Sequence, residues 1–377
     1  MIMFWLLIIL ILYSYVGYPI LLVSASSFMK KNGYQTGVSP EVTVLITAYN
    51  EEKDIADKLI NVLSLDYPKE NMEIIVASDG STDRTDEIVK KFADKGVKLV
   101  RVEGRVVKTE TQNQDVKTAN GEIIVFSDAT TKYRQDVLKK MVRNYADPMV
   151  GAVSGRYKYV DPKNSQVGRG SIAFWDYENM IKSAQSKIKT ITGCCGCIYS
   201  VRRDLYEPLP ADIISDLVEP LEIIKKGYRI VFEPEALAYE TTLEQSDKEF
   251  SMRVRVITRG MRGLLHARDL FNFFKYPYIS FQLMSHKVLR WFVPVFALGL
   301  YFSNLFILNV NNFYLLVFVC QNIFYLSAWL GWILEKNNAK NKVLSLPLYF
   351  CVVNLASLSA MIAILNGKKA VKWETVR

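Results

Sequence analysis

The chain has 377 residues, half of them apolar, with 47 basic and 38 acidic side chains and a net charge of +9. So high an apolar share argues against a wholly soluble protein, while the basic excess fits nucleic acid, anionic lipid or a phosphorylated ligand alike. Five cysteines and two histidines argue against a disulfide framework and a histidine zinc site.

Met1 to about Val23 carries no charged side chain and is long enough to cross a bilayer. No basic segment precedes it and it is long for a signal-peptide core, so residues 1–24 are expected to be a retained anchor. Lys30 and Lys31 follow in a linker, residues 25–40. The positive-inside rule then predicts the next domain, residues 41–265, on the cytoplasmic side of the cell membrane.

Within that domain strands and helices alternate. Val42 to Thr47 is a β-branched strand, and Ala48-Tyr49-Asn50-Glu51-Glu52 turns it into a helix with Asn50 as N-cap and a stripe of Ile55, Leu59 and Val62. A second unit runs from the strand Ile74 to Ala77 through the turn Ser78-Asp79-Gly80-Ser81-Thr82-Asp83 to a helix bearing Ile88, Val89 and Phe92 and ended by Gly96. Val97 to Val102 is a third strand, Lys108 to Asn120 a third helix, and Ile123 to Phe126 a fourth strand. Such alternation predicts a parallel sheet whose carboxyl-end loops open on one edge, shared by Tyr49 to Glu52, Asp79 and Asp128. Asp128 stands where a cation or a diphosphate would sit.

Beyond Val150 the alternation loosens. Gly151 to Tyr159 reads as a strand, Ile172 to Ile188 as an amphipathic helix, and Gly193 to Ser200 as a glycine-punctuated turn entering a strand. A helix is expected from near Asp216 toward Gly227, with Pro220 close to its first turn. Further on, Phe250, Val254, Ile257, Met261 and Leu264 recur at helical spacing, with Arg255, Arg259 and Arg262 on another face. Residues 266–290 mix aromatic and basic side chains as interfacial segments do. Residues 291–366 hold three apolar stretches, each of about 20 residues or more and able to cross a ~30 Å hydrocarbon core. If all three cross, the tail 367–377 with Lys368, Lys369 and Lys372 lands outside, against the positive-inside rule; a re-entrant last segment, with Pro347 and Asn354, is the other reading.

In order along the chain, the run Val42 to Glu52, the Ser78 to Asp83 turn, the Asp128 strand end and the Glu240 to Gly260 region resemble the membrane-bound family 2 glycosyltransferases, relatives of cellulose, chitin, hyaluronan and poly-N-acetylglucosamine synthases. The resemblance covers nearly the whole chain. It implies an α/β fold of the GT-A type, a mostly parallel nucleotide-sugar-binding sheet flanked by helices with transmembrane helices at both ends, and a divalent cation, Mg or Mn. It implies inversion at the anomeric carbon, with a UDP-sugar as the default nucleotide-sugar donor and a lipid-linked or glycan acceptor. Membrane lipids and subunits of a glycan assembly system are the implied partners, and nucleic acid is not one. By position, Ala48, Tyr49, Asn50 and Glu51 match the loop that holds the nucleoside, Asp79 the aspartate at the base or ribose, and Lys108 a lysine near the nucleotide. Asp128 matches the first aspartate of the metal-binding D-x-D, Asp216 the general base, and Arg255 and Arg259 a basic helix near the donor diphosphate; Cys195 and Gly196 fall on the acceptor side.

The chemistry asks for these residue types in any case. Charge developing on a leaving diphosphate is stabilised by a hard cation and guanidinium groups, and an attacking hydroxyl by a carboxylate that takes its proton. Each residue also has a plainer reading. Asp79 and Asp83 fit turn and cap positions, Asp216 a helix N-terminal acid, the arginine face a solvated or lipid-facing stripe, and Cys194, Cys195 and Cys197 small residues buried in a turn. The chain departs from the family pattern at Thr130, two residues after Asp128, at Cys195, and at Ser215 and Leu217 beside Asp216, and it lacks Q-x-x-R-W. A catalytically degenerate membrane scaffold or binding subunit is therefore the alternative.

Overall fold

The structure, a computed structural model, describes residues 1–29 and 39–367. Lys30, Lys31, Lys368, Lys369 and Lys372, on which the orientation reading rests, lie outside the described residues. The N-terminal apolar run is one helix, Ile2–Ser27, made of α1 (Ile2–Leu12) and α2 (Tyr18–Ser27) joined by a π turn at Tyr13–Gly17.

Continuous β-branched and apolar runs build the centre of the sheet, because a strand covered on both faces has no polar side to offer. β1 (Val42–Ala48) is buried along its whole length and pairs in parallel with β2 (Met72–Ser78) and β4 (Ile123–Asp128), while β3 (Val97–Arg101) adds in parallel to β2. The intervening helices are α3 (Ile55–Leu63), α4 (Thr85–Lys90) and α5 (Lys108–Asp115). The carboxyl ends of β1, β2 and β4 come out side by side, with Ala48 opposite Ser78 and Thr47 opposite Asp128.

The second half is mixed. β5 (Lys132–Tyr133), α6 (Val137–Val142), β6 (Val150–Val160), α7 (Gln166–Ile188), β7 (Ile198–Arg202), α8 (Ser215–Lys225) and β8 (Arg229–Thr241) complete an eight-stranded sheet in the order β3-β2-β1-β4-β7-β6-β8-β5. β7 inserts antiparallel between β4 and β6. Its register pairs Ser127 with Ile198, which lays the Cys195-Gly196-Cys197 turn against the end of β4.

After α9 (Ser246–His266) come α10 (Pro277–Leu283) and α11 (Leu289–Leu305), then α12 (Asn312–Lys336) and α13 (Lys342–Leu365). A π turn at Met284–Val288 makes α10 and α11 one helix, so among the described residues four helices are long and apolar enough to cross a membrane: Ile2–Ser27, Pro277–Leu305, Asn312–Lys336 and Lys342–Leu365. The expected interfacial stretch 266–290 thus divides, its second part entering a span that opens with Pro277 at a helix start, where proline is tolerated. Asn311 and Asn341 cap α12 and α13 by accepting from the Phe313 and Val343 amides.

Two local expectations are corrected. Asn50 is not an N-cap: it adopts φ +53°, and its Oδ1 accepts from the Thr82 amide at 2.8 Å, tying the β1 loop to the β2 loop. Pro220 sits well inside α8 rather than in its first turn, with a consequence for Asp216 described below. The β2 turn also depends on Gly80, which has φ +67° and would place a Cβ 2.4 Å from the Gly104 carbonyl oxygen. Gly80→Ala is expected to destabilise the protein by roughly 1–3 kcal/mol. Its Tm in detergent should fall further than that of Gly96→Ala, whose Cβ meets open space.

Candidate active site

The Asp128 turn is held from below by Lys58. This buried side chain donates from Nζ to the Thr131 carbonyl at 2.7 Å and lies over the Tyr133 ring, and burial pulls its pKa down to about 7. Above the turn, Lys108 from the start of α5 forms an ion pair with Asp128 and stands 3.4 Å from the Gly196 carbonyl. Burial works against the Lys108 charge, but Asp128 outweighs it and holds the lysine above its ordinary range.

Asp216 reaches the same place from α8. Pro220 has no amide to give the Asp216 carbonyl, which instead accepts from the Cys194 amide at 2.8 Å, locking the first turn of α8 onto the Gly193–Cys197 turn. Gly196 makes room for the carboxylate: a Cβ there would lie 2.9 Å from Asp216 Oδ2. Burial raises the Asp216 pKa, with Lys108 and Lys182 pulling the other way.

A cavity of about 240 Å³ brings together Lys108, Asp128, Gly196, Asp216 and Arg255. Cys195 and Arg259 also line it. Cys195 is buried, its amide bonded to Ser154 Oγ at 3.1 Å and its Sγ 3.5 Å from that of Cys197. Arg259 donates to Thr109 Oγ1 at 2.8 Å and the Ile213 carbonyl at 2.6 Å, bracing the segment that enters α8, so its guanidinium is engaged by the protein itself.

The expected nucleoside-side residues do not line this cavity but sit at the neighbouring strand ends. The Ala48 carbonyl accepts from the Asp79 amide at 2.9 Å, Tyr49 stacks under the Arg105 guanidinium at 4.2 Å, and the Glu51 amide donates to Thr85 Oγ1 at 2.8 Å. The Asp79 carboxylate is 2% exposed and accepts from the Val106 and Val107 amides at 2.8 and 3.1 Å. Val107, at φ +76°, is a β-branched residue in the left-handed region, a strained position that these bonds hold.

Sequence reading missed Glu240, Tyr157 and Trp175, which also line the cavity. Tyr157 OH donates to Glu240 Oε2 at 2.8 Å, and Thr130 Oγ1 bonds Glu240 Oε1 at 3.0 Å. The acid absent two residues after Asp128 is thus replaced in space by one from the end of β8. Glu240 opens the stretch to Gly260 that carries the resemblance, but nothing local in the sequence sets it beside Thr130. Among the described residues no three His, Cys, Asp or Glu side chains converge as a metal cage. Asp128 with Glu240 does fit a hard cation that takes one or two carboxylates and fills its other positions with diphosphate oxygens and water.

The family description "Glycosyl transferase family 2" matches residues 43–209. The chain is 30% identical over 244 residues to a poly-beta-1,6-N-acetyl-D-glucosamine synthase of Staphylococcus aureus (strain COL), covering 62% of this chain and 57% of that protein. To the synthase of the same name from Staphylococcus epidermidis it is 28% identical over 273 residues, covering 71% and 65%. The chain therefore spans less than two thirds of the length of these relatives. Among solved structures, the mannosyltransferase PcManGT from Pyrobaculum calidifontis, in complex with GDP-Man and Mn2+, superposes with a TM-score of 0.73 at 22% identity, over 97% of this chain and 99% of that one. Residues 43–209 thus match the family 2 glycosyltransferases on a GT-A fold, and helices long and apolar enough to cross a membrane flank them on both sides among the described residues.

Proposed function

We propose that the protein is an inverting glycosyltransferase that moves a sugar from a nucleoside-diphosphate donor, a UDP-sugar by family habit, to a lipid-linked or glycan acceptor at the cytoplasmic face of the cell membrane. The observation that carries this reading is the single cavity shared by the Lys108–Asp128 pair and Asp216. The activity these relatives are named for, synthesis of a β-linked N-acetylglucosamine polymer, supports a glycan product.

In this reading Lys108 and Arg255 face the donor diphosphate and meet the negative charge that grows on it as the bond to the sugar breaks. Asp128 and Glu240 would hold a divalent cation, Mg or Mn, which neutralises diphosphate charge when bound. Asp216 accepts the proton of the acceptor hydroxyl, whose oxygen attacks the anomeric carbon from the side opposite the leaving group. With Asp216 as base and no carboxylate as nucleophile, one displacement inverts the centre. Ala48 to Glu51 and Asp79 hold the nucleoside only after the Val106–Val107 segment releases Asp79.

Release of nucleoside diphosphate from a panel of nucleotide sugars, with Mg²⁺, Mn²⁺ or chelator, tests the reading on detergent-solubilised protein given a lipid extract. Metal-dependent turnover with one donor is expected. No turnover with any donor would favour the catalytically degenerate scaffold, which the engagement of Asp79 and Asp128 by the protein's own groups also fits.

The raised Asp216 pKa gives a pH prediction. A base works only when deprotonated, so kcat should fall as pH drops through a group titrating above the ordinary aspartate range. A kcat profile flat down to the ordinary aspartate range would contradict this.

A further inference from the structure

Asp216 lines a second cavity of about 180 Å³, on its other side from the Lys108–Asp128 pair. Its walls come from α7, the Gly193–Cys194 turn, α9 and three of the four membrane-length helices, which contribute Tyr15, Lys287 and Ser357 among others. Ionisable side chains inside such helices are costly and rare unless paired or functional.

Most of the charge here is paired. Glu178 forms an ion pair with Arg290 and lies 3.3 Å from His286, and Arg253 is bonded to Glu249 at 2.8 Å. Three charged groups remain: Asp216, Lys182 and Lys287. Lys182 is only 5% exposed, and its ammonium has the Trp175 ring at 5.7 Å. Among the described residues neither lysine side chain has a hydrogen bond or ion pair, although both line a half-enclosed space with Asp216 and with Glu178, whose carboxylate is already engaged by Arg290.

Lys182 and Lys287 outweigh Asp216 and leave a cationic excess in a cavity where neither ammonium has a protein partner. A ligand anion with several acceptor oxygens offsets that excess for both at once. The membrane helices in the wall place such a ligand at the bilayer surface, where a lipid headgroup is delivered.

Building on the transferase reading, we infer that this cavity is the acceptor's anion subsite, in which Lys182 and Lys287 hold the phosphate of a lipid carrier beside Asp216. With its phosphate held there, a lipid-linked acceptor brings its hydroxyl to Asp216 between the two cavities, and a neutral lipid of the same chain does not bind.

The test uses the full chain in phosphatidylcholine nanodiscs, with retained lipid measured by native mass spectrometry and nucleotide binding by calorimetry. A long-chain prenyl monophosphate should bind and the corresponding prenyl alcohol should not. The Lys182→Gln/Lys287→Gln double variant should weaken prenyl monophosphate binding by about 10- to 100-fold, the scale of losing charge-assisted hydrogen bonds. Lys182→Arg should retain it. Unchanged nucleotide binding in the variants would report an intact fold. Equal lipid retention by the double variant, or equal retention of the alcohol, would overturn the inference. So would inorganic phosphate that binds as tightly as the lipid and displaces it, since the ligand would then be a soluble anion. Lipid retention that follows the two lysines in a protein that binds no nucleotide would support the subsite while removing the transferase reading.

Discussion

Asp216→Asn is expected to lower sugar transfer by about 10²- to 10⁴-fold while leaving nucleotide binding in place. The substitution keeps the shape of the side chain and the backbone bond from the Cys194 amide to the 216 carbonyl, so α8 should stay locked on the Gly193–Cys197 turn. What it removes is the proton acceptor. The comparison that isolates this is Ser215→Ala, one residue away, which lines the same cavity and whose hydroxyl donates to Gln112 Oε1 at 2.7 Å, but which takes away no carboxylate. Turnover measured as nucleoside diphosphate release, beside nucleotide affinity by calorimetry, separates the two. If Asp216→Asn kept most of the wild-type rate, Asp216 would be only the helix N-terminal acid of the plainer reading.

Asp128→Asn should cost about 10²- to 10³-fold in turnover, the usual scale for removing one group that stabilises developing charge. Here the loss has two physical sources. A neutral amide is a poor ligand for a hard cation, and Lys108 loses the charge that outweighs its burial. The metal dependence distinguishes them: raising Mn²⁺ should recover part of the activity if weakened metal binding dominates, and none if the misplaced Lys108 does. Adding Lys108→Gln to Asp128→Asn should restore thermal stability without restoring turnover. Full activity in Asp128→Asn would remove this residue from the donor site.

The parallel half of the sheet was legible because burial on both faces demands uninterrupted apolar runs, and Val42 to Thr47 and Ile123 to Phe126 are such runs. The loops at their carboxyl ends followed from topology, which is why Asp79 and Asp128 could be placed at one edge. The insertion of β7 between β4 and β6 was not legible. It rests on pairings such as Phe126 with Tyr199, far apart in sequence, and nothing local to Ile198–Arg202 encodes a direction. The same distance hid Glu240, which meets Thr130 through the pairing of β5 with β8, where Lys132 stands opposite Tyr239. Asn50 misled because an N-cap and a left-handed turn residue share one preference, a short polar side chain, and only the Thr82 amide decides between them. Arg259 is placed near the donor by the family resemblance and on one face of α9 by its helical spacing, and neither shows the Thr109 and Ile213 partners that meet its guanidinium.

The measurement that bears most directly on the central claim is the anomeric configuration of the product, read by NMR coupling constants on the first transferred sugar from an α-linked nucleotide donor. A base at Asp216 and a single displacement require a β-linked product. An α-linked product would contradict the assignment, because retention needs a second displacement or a same-face attack in which Asp216 has no role as base.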